Sequence, residues 1–409
     1  MACARGPYDL LMSAMSVLTG LGFALPRHSS STPQMVRFLR EVAAAQPGAS
    51  ARFVDQAGRL AAQSGIDTRY SVLSDYAASA PSEFSFFPKT WSLDPFPGTA
   101  ARMAVYKQAA PSLAAIAARR ALEDAGVEPE AVTHLLFTTC TGFFAPGPEL
   151  ALVRALGLLP STRRIQVGFM GCYAGAVALR LADELVRSDP RAVVLQVSVE
   201  LCSLHFQKAP RLGLYLANAL FGDGAAAAVY QSRQRSRPEA CYAEVRATRS
   251  CVADETDTLM SWDVGDHGFE MTLSPEVPAA LGEAAPAFVA ALLGEARLAE
   301  CAPASLDWAI HPGGLRIVQA TAEALGLGPE AQAPALSVLR EVGNLSSATL
   351  LFVLAALLGS APRAPAFGTL AFGPGLTIEG AILERGPRAY ARAPARVLSR
   401  PRALDEVQP

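Results

Sequence analysis

GFMGCYAGAVALRLADELV, residues 168–186, is the stretch on which the fold turns. Residues 166–170 read as a short strand, the small residues after it make a tight turn, and an Ala- and Leu-rich helix follows over 174–187. A strand delivered through a tight turn into a helix is the repeating unit of α/β architecture. The turn carries Cys172. A thiol placed there faces the unsatisfied N–H groups of the helix start, and the positive end of the helix dipole is expected to lower its pKa. Gly171 and Gly175 let backbone approach closely. The same features fit a small buried residue at a strand–helix turn, and this local context does not choose between the two.

Working outward, the same plan recurs. Residues 114–125 (AAIAARRALEDA) have helical periodicity, and 133–140 (THLLFTTC) form a short apolar run rich in β-formers. A helix is expected over 151–158, and strands over 192–200 and 225–230. A polar break, QSRQRSRP at 231–238, is the natural seam. Beyond it come a strand at 306–310, an apolar helix at 346–358, a strand-like 369–372 leading into a Gly-Pro-Gly turn, and a last strand at 377–383. Two halves are expected, 1–236 carrying the cysteine and 237–393 repeating the pattern. A loose tail rich in Arg, Pro and Ala follows at 394–409.

The chain has 409 residues, is 51% hydrophobic and 18% charged, and has a net charge of -2. A large buried core is expected. No basic surplus exists to drive nucleic-acid binding. The seven cysteines are scattered, with no CxxC pair. A disulfide framework and a zinc site are therefore not expected, and a reduced cytoplasmic setting fits. The apolar run at 8–26 could be read as a signal peptide, but the leader carries Asp9 beside Arg5 and no clear cleavage site follows, so a structural segment is expected. The run 345–358 is short for a membrane span and is interrupted by Ser346, Ser347 and Thr349.

Two further motifs carry chemistry. DWAIHPGGLRIV, residues 307–318, brings His311 off a strand onto a Pro-Gly-Gly turn that exposes the ring. Alone it reads as a structural histidine. Beside a thiol, its imidazolium would stabilise thiolate and its N–H would polarise a carbonyl. REVGNLSSATLLFVL, residues 340–354, opens an apolar helix with Gly-Asn. Alone, Asn344 reads as an N-cap. In company with Cys172 and His311, its amide could donate to a developing enolate or thioester oxygen.

Together these motifs resemble the type III polyketide synthases, the chalcone-synthase-like branch of the thiolase superfamily. The resemblance runs from about Val17 to Leu383 and rests on GCYAG at 171–175, LFGDGAAA at 220–227, HPGG at 311–314, GNLSSAT at 343–349 and FGPGLTIE at 372–379. It implies a five-layered αβαβα thiolase-like fold built from two similar halves, working as a homodimer. It implies that Cys172 takes an acyl starter from CoA, that His311 and Asn344 hold the malonyl thioester, and that decarboxylation supplies the enolate for chain extension and cyclisation. The substrates would be CoA thioesters, with no metal and no separate cofactor. The family's aromatic gatekeeper falls on Phe221, for which plain core packing is the bland alternative. The second gate position is Met271, softer than the Phe of plant enzymes and suited to flexible alkyl chains.

The resemblance places the cavity wall at Cys140, Cys202, His205, Trp262, Ser346 and Pro374. Ala145 stands where a Met reaches across the dimer. His205 is expected to narrow the pocket or bind a product oxygen. These departures argue against naringenin chalcone as product without fixing another. Of three basic CoA-binding positions only Arg59 is kept, with Gln56 and Gln63 at the others. Arg316, Gly313 and Gly314 are the remaining CoA candidates, and an acyl-carrier-protein donor for the starter is left open. Three rivals stand beside this reading: a ketoacyl synthase III-like enzyme that condenses once, a catalytically silent thiolase-fold partner subunit, and a Cys-His hydrolase. Within the main reading, a fatty acyl starter giving alkylpyrones or resorcinols competes with malonyl-CoA priming that gives polyhydroxy-aromatic products.

Overall fold

The computed structural model describes residues 15–391. The tail at 394–409 and the first part of the run at 8–26 lie outside the described residues. The rest of that run forms β1 (Ser16–Ala24), which pairs with neighbours on both sides and is buried along almost all its length. The first half continues through β2 (His28–Ser31), α1 (Thr32–Ala44), α2 (Ala51–Ala62), β3 (Thr68–Ser71), α3 (Thr99–Ala125), β4 (His134–Thr139), α4 (Pro148–Leu156), β5 (Arg163–Gly168), α5 (Ala174–Ser188), β6 (Val193–Leu201), α6 (Leu212–Leu220) and β7 (Asp223–Ser232). The second half holds β8 (Ala243–Val252), β9 (Met260–Gly265), β10 (Gly268–Leu273), α7 (Val277–Glu295), β11 (Asp307–Ile310), α8 (Leu315–Ala324), α9 (Pro329–Val342), α10 (Thr349–Leu358), β12 (Ala366–Gly373) and β13 (Thr377–Arg385). Residues 236 and 237, where the halves are expected to meet, lie between β7 and β8.

Nine strands form one sheet in the order β11-β12-β13-β8-β1-β7-β6-β4-β5. It is two half-sheets joined where β1 meets β8 through Val17 and Leu18. In the first half β5, β4 and β6 are parallel and β7 runs antiparallel to β6. In the second half β11 and β12 are parallel and β13 runs antiparallel to β12. Thus β4, β6, β7 and β1 correspond to β11, β12, β13 and β8, and only β5 lacks a counterpart. The central helices α5 and α10 each pack against strands of both halves, while α3 covers the outer face of β1, β6 and β7, and α7 covers β8 and β13. The layers therefore run α, β, α, β, α, as the resemblance implies.

This plan places the chemistry. The chain leaves β4 at Cys140 and β11 at His311. It enters α5 through the turn with Cys172 and approaches α10 through the turn with Asn344. All four therefore sit on corresponding connections at the same edge of the two half-sheets. Two sequence readings shift. The expected helix at 114–125 is the second half of a 27-residue helix that continues through Pro111. The strand read at 166–170 begins at Arg163; it is an edge strand of the sheet, and its side chains are mostly exposed.

α7 is long and apolar enough to cross a membrane by length and composition. Its Leu281, Ala285, Phe288 and Leu292 recur at helical spacing and are buried on the sheet, so it forms an outer layer of the fold.

Candidate active site

Cys172 follows a turn forced by Gly171 at φ +90°, a conformation that suits glycine. A Cβ at Gly175 would stand 2.2 Å from the Ser347 carbonyl oxygen. That missing side chain lets the start of α5 press against the turn carrying Asn344. The result is a distance of 4.0 Å between Asn344 Nδ2 and Cys172 Sγ. His311 continues the β11–β12 pairing through its N–H to the Leu370 carbonyl at 2.7 Å. Its ring is buried, and neither ring nitrogen has a protein partner.

Two chambers meet at Cys172. The larger encloses about 850 Å³, mouth included, and is lined by Cys140, Cys202, Trp262, Ser346 and Pro374 among others. The smaller holds about 390 Å³ and is lined by His311, Asn344, Gly313, Leu281 and Phe372. Phe221, Met260 and Met271 line both, so they form the wall between them. Phe221 forms a backbone bridge with Asn344, with Asn344 N–H donating to Leu220 O and Gly222 N–H to Asn344 O, both at 2.9 Å. Gate and amide are thereby built on one piece of backbone.

His205 departs from expectation. It is absent from the wall of either chamber. Its Nε2 lies 2.7 Å from the Thr141 carbonyl oxygen, and Phe269 N–H donates to its Nδ1 at 3.0 Å. The carbonyl only accepts and the N–H only donates, so the ring is held as the Nε2–H tautomer. It stacks on Phe269 with centroids 4.1 Å apart. Both ring nitrogens are used by backbone, which leaves none for a product oxygen. Ala145 is exposed and lines neither chamber of its own chain. Arg59 and Arg316 are exposed and also line neither, and Arg59 pairs with Asp55 at 2.7 Å. Gly314 is buried beside Leu220.

Electrostatics correct a second expectation. Burial pushes the Cys172 thiol up to about 12, although contacts from Ser346 and Asn344 pull the other way. Burial pushes His311 down to about 3. Desolvation outweighs the helix start for the thiol, and both shifts favour the uncharged pair, thiol and neutral imidazole.

Glu200 is a site residue that the sequence reading passed over. Its buried carboxyl accepts from Cys140 N–H at 2.9 Å, from Thr141 Oγ1 at 2.7 Å and from the Ser347 hydroxyl. Burial raises its pKa against these donors. It ties the end of β4 to the Asn344 turn. The signal was present: one carboxylate ends the otherwise uncharged run AVVLQVSVE at 192–200.

Residues 11–233 match the family model "Chalcone and stilbene synthases, N-terminal domain", and residues 244–386 match the corresponding C-terminal domain. The chain is 35% identical over 287 residues to "Alpha-pyrone synthesis polyketide synthase-like Pks18" of Mycobacterium tuberculosis, covering 69% of this chain and 72% of that protein. It is 32% identical over 341 residues to bisdemethoxycurcumin synthase of Oryza sativa, covering 80% and 83%. Among solved structures, the C-terminal type III polyketide synthase domain of Steely1 from Dictyostelium superposes with a TM-score of 0.83 at 29% identity, covering 91% of this chain and 99% of that one.

Proposed function

For a chain that belongs to the chalcone and stilbene synthase family of type III polyketide synthases, as this one does, we propose that Cys172, His311 and Asn344 carry the condensation and that the starter is an acyl-CoA with an apolar chain. The family's substrates are malonyl-CoA and acyl-CoA thioesters. The observation that carries the assignment is the position of Cys172 at the junction of two chambers. Asn344 Nδ2 lies 4.0 Å from its sulfur, and His311 lines the smaller chamber.

In this reading the Cys172 proton passes to His311 as the sulfur attacks the starter thioester carbonyl. The CoA sulfur leaves and takes up that proton. Malonyl-CoA then occupies the smaller chamber. Its carboxylate departs as CO2, and the electron pair of the broken C–C bond becomes an enolate. The remaining N–H of the neutral His311 ring and the Asn344 Nδ2–H donate to the enolate oxygen. The enolate carbon attacks the Cys172 thioester, and the chain, longer by two carbons and now on CoA, reloads onto Cys172. The reaction as written asks only for CoA thioesters. Met35, Phe206, Leu214 and Ala217 in the larger chamber favour an alkyl starter. A homodimer placed along the free edge of β5 completes the proposal, and the cytoplasm is where its thioester substrates are expected.

Product analysis by mass spectrometry tests it, first with malonyl-CoA alone and then with acyl-CoA starters from acetyl to stearoyl. Pyrones or resorcinols that need an added alkyl starter support the reading. Products from malonyl-CoA alone overturn the starter assignment. A single added two-carbon unit overturns iteration. Full activity in Cys172→Ala removes the nucleophile.

A further inference from the structure

Ser346 lines the larger chamber and is held at φ +49°. The left-handed region is unfavourable for an L-residue with a side chain, and such residues persist where the surroundings fix them. What fixes this one also fixes the neighbouring amide. The N–H of this same residue donates to Asn344 Oδ1 at 2.8 Å. The Thr349 hydroxyl lies 3.3 Å from the same oxygen and 2.9 Å from the Ser346 carbonyl. Leu345 N–H in turn donates to Thr349 Oγ1 at 2.8 Å.

An amide has two ends of similar shape and opposite chemistry. Turned over, Asn344 would set its NH2 against the Ser346 N–H, donor against donor, and would aim Oδ1 at the cysteine sulfur. A backbone N–H can only donate, so it chooses the end that faces it. The other end, Nδ2, is left towards Cys172 Sγ at 4.0 Å.

We propose that the left-handed backbone at Ser346 is the device that orients Asn344, making Ser346 a positioning residue whose effect on decarboxylation passes through the Asn344 amide. The proposal rests on the reading of Asn344 as an enolate donor. A residue that tolerates left-handed φ keeps the N–H in place, and a β-branched residue does not. Ser346→Val therefore releases the amide, while Ser346→Gly keeps its partner and removes the hydroxyl with its contact to Cys172.

The experiment is a double-mutant cycle on malonyl-CoA decarboxylation with Ser346→Val, Ser346→Gly, Asn344→Ala and Asn344→Ala/Ser346→Val, following kcat and KM separately. Expected are a fall in kcat of about 100-fold for Ser346→Val with KM changed by less than about threefold, and a fall under about tenfold for Ser346→Gly. In the Asn344→Ala background, Ser346→Val should add less than about threefold. If Asn344→Ala itself leaves decarboxylation intact, the donor reading fails. If Asn344→Ala is impaired and Ser346→Val costs as much in that background as in the wild type, the donor reading stands and the positioning role is overturned. Ser346→Gly falling as far as Ser346→Val also overturns it.

Discussion

Trp262 donates its indole Nε1–H to the carbonyl oxygen of Cys140 at 2.7 Å. The bond joins the β9–β10 hairpin, which carries Met260, Trp262 and Met271 into the chambers, to the loop leaving β4. Cys140 is held on every side. Its N–H goes to Glu200, and its sulfur accepts the Gly171 N–H at 3.0 Å. The gate wall and the nucleophile turn thus share one anchor. Trp262→Phe removes a hydrogen bond with a net value of about 1 kcal/mol, so total turnover should fall by no more than about tenfold. The space left by the smaller ring should move the product distribution towards at least one further two-carbon extension, read by mass spectrometry. An unchanged distribution would show that Trp262 does not limit chain length.

The resting charge of the site is open to direct test. With burial pushing the Cys172 thiol up to about 12 and His311 down to about 3, the sulfur is expected to rest as thiol at pH 7 in the absence of substrate. Alkylation of Cys172 by iodoacetamide, assigned by peptide mass spectrometry, should rise about tenfold per pH unit from pH 6 to 9. A fast rate that is flat between pH 5 and 8 would show a thiolate–imidazolium pair and sink the neutral assignment.

His205 gives a prediction about stability. Burial holds it near 3, below its ordinary 6.5, so between those values the unfolded chain binds the proton and the folded chain does not. Stability is therefore fully present above pH 6.5 and is lost as pH falls towards 3, with a slope of up to about 1.4 kcal/mol per pH unit. His311 contributes in the same direction. His205→Phe keeps the stack on Phe269 but leaves Thr141 O and Phe269 N–H without the ring, at about 1–3 kcal/mol for each group. Urea titrations should show the variant weaker than wild type at pH 7 and less steeply weakened between pH 6.5 and 4.5. Equal pH slopes in the two proteins would contradict a suppressed His205.

How much of this was legible in the sequence depends on where each signal is written. Cys172, His311 and Asn344 each follow an element with a clear period and sit on glycine-marked turns, so the local reading places them on connections at the right edge of the sheet. Their convergence is not local. It needs the correspondence of β4 with β11 and of α5 with α10, which share a plan without visible identity. His205 shows the opposite case. A histidine after an apolar strand suggests a pocket, but its partners are a carbonyl at 141 and an N–H at 269, and no pattern around 205 announces them. The thiol's pKa failed for a similar reason. The helix start is visible in the sequence, while the burial that outweighs it belongs to the whole fold. The hairpin β9–β10 carries little signal because its alternation is short and interrupted by charges, although it supplies four residues of the chamber walls, Met260, Trp262, Met271 and Leu273.

The free edge of the sheet carries the last prediction. β5 has no strand beyond it, and Ile165 is exposed there along with Leu159, Phe143 and Phe169 nearby. An unpaired edge with apolar side chains is a template for another strand, and proteins normally blunt such edges with charge or cover them. Arg163 and Arg164 blunt only the start of this one. Two copies related by a two-fold axis would pair their β5 strands antiparallel and cover both patches at once. The loop bearing Phe143 and Ala145 would then lie at the shared face. Light scattering should report twice the 42.9 kDa chain mass. Ile165→Asp would set like charges near each other across the axis and should give the monomer, with secondary structure unchanged by circular dichroism. A wild-type monomer at micromolar concentration, or an Ile165→Asp protein that stays dimeric, would show that β5 is not the interface.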